Sequence, residues 1–358
     1  MRLGQPDIPE AMRAVRFAAW QEEPELVEVA TPVPGPGEVL IAVDAAGLCH
    51  SDLHIMEWPA GTVPWELPFT LGHENAGTVV ALGPKTSGIA EGDRVLVHAR
   101  WGCGQCWHCL QGAENRCPHS IELFGGQGGG AGRDGGLAEY MVVPSVRYLV
   151  PLGDLDPLQA APLTDAALTP YHAIKPWAEQ LRPNGCAVVI GVGGIGHMAV
   201  QLLRALSAVR IVAVDVREDA LELARRAGAY AAVSGRDLTA AELRAETGSD
   251  GATLVLDCVA TDATLALAAG VLAPGGAISY IGRGGGTLPV SLGALPPECS
   301  VTIPTWGTLP ELVEVVALAR AGEIHTEVER YSLDDAVEGY RRLRRGEVVG
   351  RAVVSPSA

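Results

Sequence analysis

The stretch between residues 187 and 215 constrains this chain more than any other. An apolar run, Ala187-Val188-Val189-Ile190, passes directly into Gly191-Val192-Gly193-Gly194-Ile195-Gly196, and a helical pattern follows over residues 194–206. A second apolar run, residues 211–214, ends on Asp215, nineteen residues beyond Gly196. A lone G-x-G-x-x-G says little. Between a strand and a helix it says more, because Gly191 permits a tight turn, Gly193 lets the backbone approach a pyrophosphate, and Gly196 lets the helix pack against the strand. The N–H groups around Gly194 and Ile195, at the start of the helix, would face that pyrophosphate. Asp215 would accept from the ribose hydroxyls of NAD and repel the 2′-phosphate of NADP, a preference that Arg217 could soften. Further alternation, with strands at 253–257, 277–281 and 301–303 and a helix at 262–272, predicts a six-stranded, parallel, doubly wound sheet.

The residues before this region follow another grammar. Short strands at 12–17, 38–46, 77–81, 94–98 and 137–143, broken by glycine and proline, suggest a β-barrel-like domain. A chain of 358 residues exceeds what one hydrophobic core usually organises, so two domains are expected. The division is 1–165 for a catalytic domain, with a lobe at 102–118, and 166–306 for the dinucleotide domain. The remainder, 307–358, carries a helix at 309–321, a strand at 326–331, a helix at 333–345 and a strand at 351–354; it is too short for a domain and is expected to return to the first. The glycine-rich piece at 125–130 neither follows a strong strand nor precedes a helix, so it reads as a mobile loop.

Eight cysteines in a chain with no apolar leader point to metal before disulfide. Cys103, Cys106, Cys109 and Cys117 form a C-x2-C-x2-C-x7-C cluster among glycines, spacing that wraps four thiolates around one tetrahedral ion and leaves no open position, as in a structural zinc site. An iron–sulfur cluster is the rival, since ferredoxins also use C-x2-C-x2-C and end in Cys-Pro like Cys117-Pro118. The seven-residue gap and the lack of a second cluster motif favour zinc. A different set suits catalysis: Cys49, within Gly47-Leu48-Cys49-His50-Ser51-Asp52-Leu53-His54, with His73 and Asp165, would hold one zinc and leave a position open. Cys186, Cys258 and Cys299 lie in apolar runs and read as buried thiols.

The formal charge of −16 argues against nucleic-acid or anionic-membrane partners, which need clustered cations. The run Arg341-Arg342-Leu343-Arg344-Arg345 is local and reads as a solvated helix face. No run of about eighteen apolar residues appears and residues Met1–Asp7 lack a signal-peptide segment, so a soluble, cytoplasmic protein is expected.

Taken together, Gly47-Leu48-Cys49-His50-Ser51-Asp52, Gly72-His73-Glu74-Asn75-Ala76-Gly77, Gly92-Asp93-Arg94-Val95, the cysteine lobe and the Gly191–Gly196 motif resemble the zinc-dependent alcohol dehydrogenases of the medium-chain dehydrogenase/reductase family. Leu163-Thr164-Asp165-Ala166 and Thr169-Pro170-Tyr171-His172 are most similar to bacterial NAD-dependent enzymes acting on secondary alcohols and ketones. Many members carry cysteine where this chain has Asp165, as the bacterial subgroup does. The resemblance implies an α/β protein with a GroES-like β-barrel catalytic domain and a Rossmann domain. It also implies NAD, two zinc ions per chain, a small alcohol or ketone substrate, and a homodimer or homotetramer joined through Rossmann edges. It implies roles as well: the Ser51 hydroxyl takes the alcohol's proton, the nicotinamide ribose passes it on and His54 releases it, while His50 faces the pyrophosphate. Asp52 and Glu74 are expected behind the zinc ligands, orienting His73 or approaching the metal. Trp58 and Trp65, between Cys49 and His73, and Trp306, after the last Rossmann strand, are candidates for an aromatic substrate wall. A polyol or sugar dehydrogenase of the same family, or a non-catalytic NAD-binding redox sensor, stays open beside this reading.

Overall fold

The computed structural model describes residues 8–248 and 250–356. The expectation about Met1–Asp7 therefore lies outside the described residues. The chain forms two compact units: one takes the residues up to Asp165 together with Thr308–Arg320 and everything from Thr326 on, the other Ala166–Gly307 and Ala321–His325.

In the first unit Val39–Leu48 is the central strand, with eight of its ten residues buried. It pairs antiparallel with Glu74–Leu82, Tyr140–Val143 and Arg351–Ser355. The whole sheet runs Leu149–Pro151, Arg94–Val97, Glu74–Leu82, Val39–Leu48, Arg351–Ser355, Val328–Ser332. Two register shifts between Val39–Leu48 and Glu74–Leu82 bend the sheet into its barrel-like curve. A smaller sheet joins Glu25–Ala30, Ala11–Phe17 and Phe69–Thr70. The C-terminal strand thus lies beside the strand that delivers Cys49, with Gly47 opposite Val353.

The second unit is a six-stranded parallel sheet in the order Ala231–Ser234, Arg210–Asp215, Cys186–Ile190, Ala252–Asp257, Leu272–Tyr280, Ser300–Thr302. Counted along the chain this is third, second, first, fourth, fifth, sixth, the doubly wound order whose reversal point opens a crevice at the carboxyl ends of the first and fourth strands. The central strand Cys186–Ile190 is buried throughout, the continuous apolar run expected of a sheet covered on both faces. Gly196 begins the helix Gly196–Leu206, and a Cβ there would lie 1.9 Å from the Gly191 carbonyl oxygen, so no other residue fits this crossing.

Two expectations are corrected. The glycine segment near residue 128 is packed: Gly128 and Gly129 pair with Gly132 and Arg133, and a Cβ on Gly128 would lie 1.8 Å from the Ala99 carbonyl oxygen. Its glycines serve close backbone contact. Of the three remaining cysteines only Cys186 is buried, while Cys258 and Cys299 are half-buried. The residues around Asp165 form the short helix Pro157–Ala160, the 3-10 turn Ala161–Thr164 and the helix Leu168–Ile174. Among the described residues no helix is long and apolar enough to cross a membrane.

Candidate metal centre and dinucleotide site

Cys49 ends the strand Val39–Leu48 and caps the helix His50–Glu57, His73 precedes the strand Glu74–Leu82, and Asp165 ends the 3-10 turn Ala161–Thr164. All three side chains are buried, and their donor atoms lie within 4.8 Å of one another. The Cys49 sulfur is 3.4 Å from Asp165 Oδ2, and His73 Nε2 is 3.5 Å from the same oxygen. A tetrahedral zinc with bonds of about 2.0–2.3 Å has ligand–ligand edges of about 3.4–3.6 Å, so thiolate, imidazole and carboxylate fit one zinc with a fourth position open. Burial works against a charged His73 ring, yet Asp52, Asp165 and Cys49 together hold its pKa well above the ordinary value. The pocket favours positive charge, which a dication would provide.

Behind these residues stands a buried polar layer. Asp52 Oδ1 is 3.0 Å from His73 Nδ1, leaving Nε2 directed at Asp165. Its other oxygen accepts from the Cys49 main-chain N–H at 3.1 Å and from the Tyr340 hydroxyl at 2.8 Å. Burial and the Asp52 charge push the Tyr340 phenol well above its usual pKa, which keeps it a neutral donor. Glu74 and Arg351 form a bidentate pair, with Arg351 Nε donating to Oε2 at 2.9 Å and Nη2 to Oε1. Burial pushes the Glu74 carboxyl up and Arg351 pulls it back. Burial also lowers the Arg351 pKa, but Glu74 raises it further, so the guanidinium stays charged. Gly47 makes room for this pair, since a Cβ there would lie 1.9 Å from Glu74 Oε2. Tyr340 and Arg351 escaped the sequence reading, being far along the chain from every motif.

Ser51 donates to the Cys49 sulfur at 3.0 Å. His50 and His54, one turn apart on the same helix, have ring centroids 5.2 Å apart. Trp58 and Trp65 lie 5.7 Å apart, and Trp65 is buried edge-on to Phe69 at 6.1 Å. Trp306 lies in the other unit, half-buried at a positive φ of 47°.

The four remaining ligand candidates form a second cluster. Cys103 and Cys109 sulfurs are 4.0 Å apart and those of Cys106 and Cys117 3.9 Å, close to the edge of about 3.8 Å in a four-thiolate zinc site. The Gln105 main-chain N–H lowers the Cys103 thiol to about 6, whereas burial pushes Cys109 up. Arg100, buried beside this lobe, is pulled down to about 10 by burial, with Cys117 opposing.

In the second unit Gly191 has φ +84°, and a Cβ on Gly193 would meet nothing within 4 Å, so the turn presents open backbone. The helix Gly196–Leu206 has no side-chain cap; His197 N–H donates to the Gly193 carbonyl at 3.1 Å, and the uncapped start of the helix suits an anion. Asp215 accepts from Val192 N–H at 2.7 Å and Arg217 N–H at 2.9 Å, tying the second strand to the glycine turn. Arg217 Nε is 3.5 Å from Asp219. Gly194 and Ile195 complete the turn before the helix. Turn, uncapped helix and acidic strand end fit a dinucleotide.

Residues 35–154 match the family model of the alcohol dehydrogenase GroES-like domain and residues 194–319 that of the zinc-binding dehydrogenases. An NAD-dependent alcohol dehydrogenase of Sulfurisphaera tokodaii is 35% identical over 355 residues, covering 96% of this chain and 100% of that protein. A D-arabinose 1-dehydrogenase (NADP+) of Saccharolobus solfataricus is 33% identical, with 96% and 97% covered. The structure of acetophenone reductase from Geotrichum candidum in complex with NAD superposes with a TM-score of 0.85 at 31% identity, covering 98% of each chain. The chain belongs to the zinc-dependent, medium-chain alcohol dehydrogenase family.

Proposed function

We propose that this dehydrogenase oxidises secondary alcohols bearing an apolar or aryl arm, and reduces the matching ketones, with NAD as hydride carrier. The observation that carries the reading is the buried Cys49–His73–Asp165 set, whose edges suit a zinc with one position free for substrate. Cys103, Cys106, Cys109 and Cys117 would hold a second, structural zinc. When bound, the catalytic zinc supplies a Lewis acid that brings an alcohol's ionisation towards neutral pH, and NAD supplies the hydride acceptor.

The chain's own groups do the rest. Asp52 fixes the His73 tautomer and orients the ring, and the Glu74–Arg351 pair keeps a balanced charge behind the ligands. Ser51, whose hydroxyl lies beside the Cys49 sulfur, takes the alcohol's proton, and His54 hands it to solvent; His50 faces the pyrophosphate. Gly191, Gly193, Gly194, Ile195 and Gly196 admit the pyrophosphate, Asp215 holds the ribose, and Arg217 modulates the choice between NAD and NADP. Trp58 and Trp65 form the apolar side of the substrate pocket. A polyol there would bury spare hydroxyls without partners, at about 1–3 kcal/mol each.

Similarity to acetophenone reductase supports the aryl arm, and similarity to the D-arabinose enzyme is the observation that favours a sugar as the second reading. The test is kcat/KM with NAD for 1-phenylethanol and 2-octanol against sorbitol and D-arabinose. The secondary alcohols should lead. A lead for the polyol or sugar would overturn the substrate class, and no reduced nicotinamide from any alcohol would leave the redox-sensor reading in its place.

A further inference from the structure

At the carboxyl edge of the parallel sheet, the segment after the strand Leu272–Tyr280 is held along the loop after Ala252–Asp257. Ile281 and Gly282 N–H both donate to the Asp257 carbonyl at 2.9 Å, Gly284 N–H to Val259 and Gly286 N–H to Ala260, each at 2.9 Å. A Cβ on Gly282, Gly284 or Gly286 would lie 2.3, 2.6 or 2.3 Å from main-chain atoms of that loop, so the alternating glycines are what allow the two segments to lie together. Both ends are tied. Tyr280 hydroxyl donates to the Gly286 carbonyl at 2.9 Å, and Thr287 N–H to Asp262 Oδ1 at 2.7 Å. The partner loop is fixed in turn by Asp257 Oδ1, which accepts from Val259 N–H at 3.0 Å and Ala260 N–H at 2.7 Å, with Ala260 at φ +61°.

Between two of these contacts stands Arg283, exposed, with no hydrogen bond or ion pair among the described residues. Its main chain is pinned while its guanidinium is free. Its position in the sheet gives it meaning. Asp215 ends the strand immediately to one side of the glycine turn, and Arg283 follows the strand two places to the other side, about 10 Å across at ~4.8 Å per strand. If Asp215 marks the adenosine ribose, the nicotinamide half of the dinucleotide, and the substrate that meets it, lie towards Arg283.

We propose that Arg283 is an anion-recognising residue for the nicotinamide side of the crevice, taking an anionic oxygen group: either a cofactor phosphate or a carboxylate on the substrate's arm. The proposal rests on the dehydrogenase reading above. A guanidinium suits this task because it stays charged and offers two parallel donors to a phosphate or carboxylate.

The test compares wild type, Arg283→Leu and Arg283→Lys by two readings: NADH dissociation constants from fluorescence, and kcat/KM for acetophenone and 3-acetylbenzoate at saturating NADH. If the anion is a cofactor phosphate, Arg283→Leu weakens NADH binding about tenfold or more, with partial recovery in Arg283→Lys. If it is a substrate carboxylate, NADH binding holds, and Arg283→Leu lowers kcat/KM for 3-acetylbenzoate about tenfold more than for acetophenone. Changes within about twofold in both readings overturn the proposal. Wild-type protein that binds no NADH would overturn the dehydrogenase reading itself, whereas wild type that binds NADH and reduces neither ketone would leave the cofactor reading to decide about Arg283.

Discussion

Ser51, whose hydroxyl donates to the Cys49 sulfur at 3.0 Å, is the residue proposed to take the alcohol's proton. Ser51→Ala should lower kcat at neutral pH by about 10²-fold, the usual scale of acid–base assistance, with NADH binding retained. Turnover within threefold of wild type would remove Ser51 from the relay. Asp215 is under a different constraint, since both its oxygens already serve the main chain, at Val192 and Arg217. Asp215→Ala should therefore cost NAD affinity while relieving repulsion of the 2′-phosphate, moving the kcat/KM ratio of NAD to NADP towards NADP by about tenfold or more. An unchanged ratio would place cofactor choice elsewhere. At this scale the sequence was legible where ligand chemistry is local. Cys49 lies in a dense motif and the glycine turn sits between strand and helix, so both could be read directly. Tyr340 and Arg351 could not, because they meet Asp52 and Glu74 across 288 and 277 residues, a pairing that no spacing or periodicity encodes.

Elements were legible in proportion to their burial. The strand Cys186–Ile190, buried along its whole length, and the largely buried helix Gly196–Leu206 after it carry strong local signals, whereas the helix Glu218–Ala227 was not read from the sequence. The strand Glu25–Ala30 has no fully buried residue, so its alternation is too weak to read from sequence. The helix His50–Glu57 is hidden by its own chemistry: its first three residues, His50, Ser51 and Asp52, read as site residues before they read as helix. The cysteine lobe is the element that a bound metal would stabilise most. It has only the short helices Trp107–Leu110 and Ser120–Phe124 and the 3-10 turn Glu114–Arg116, with Glu114 paired to Arg147 and Ser120 Oγ bonded to the Trp101 carbonyl. Such a lobe takes folding free energy directly from its ion. Cys106→Ser should release one zinc per chain and lower Tm by several degrees, while Cys49→Ser should abolish turnover and leave Tm and the structural zinc in place. Metal analysis finding one zinc per wild-type chain, or iron, would refute the pair.

At the scale of the whole molecule, the feature with the largest consequence is the edge of the parallel sheet. Ser300–Thr302 is its last strand, paired on one side only, to Leu272–Tyr280. An unpaired edge is a template for another chain unless charge, proline or a covering element blocks it. This edge exposes apolar side chains: Val301 on the strand is 36% exposed and Ile303, the residue after it, 76%. Elsewhere the surface carries ion pairs, as on the helix Ala336–Arg344, where Arg341 and Arg344 both meet Glu23. Leaving apolar side chains beside an open ladder in a protein of net charge −16 fits a surface that is covered in solution by the same edge of a second copy. Such pairing is self-complementary, because two identical edges related by a twofold axis run antiparallel and exchange the same hydrogen bonds. The wild-type protein should therefore sediment as a dimer or a multiple of it at micromolar concentration. Val301→Lys with Ile303→Lys should place like charges opposite one another across that axis and shift the mass towards the monomer of 37.3 kDa. A monomeric wild type, or a double variant of unaltered mass, would show that this edge does not join two chains.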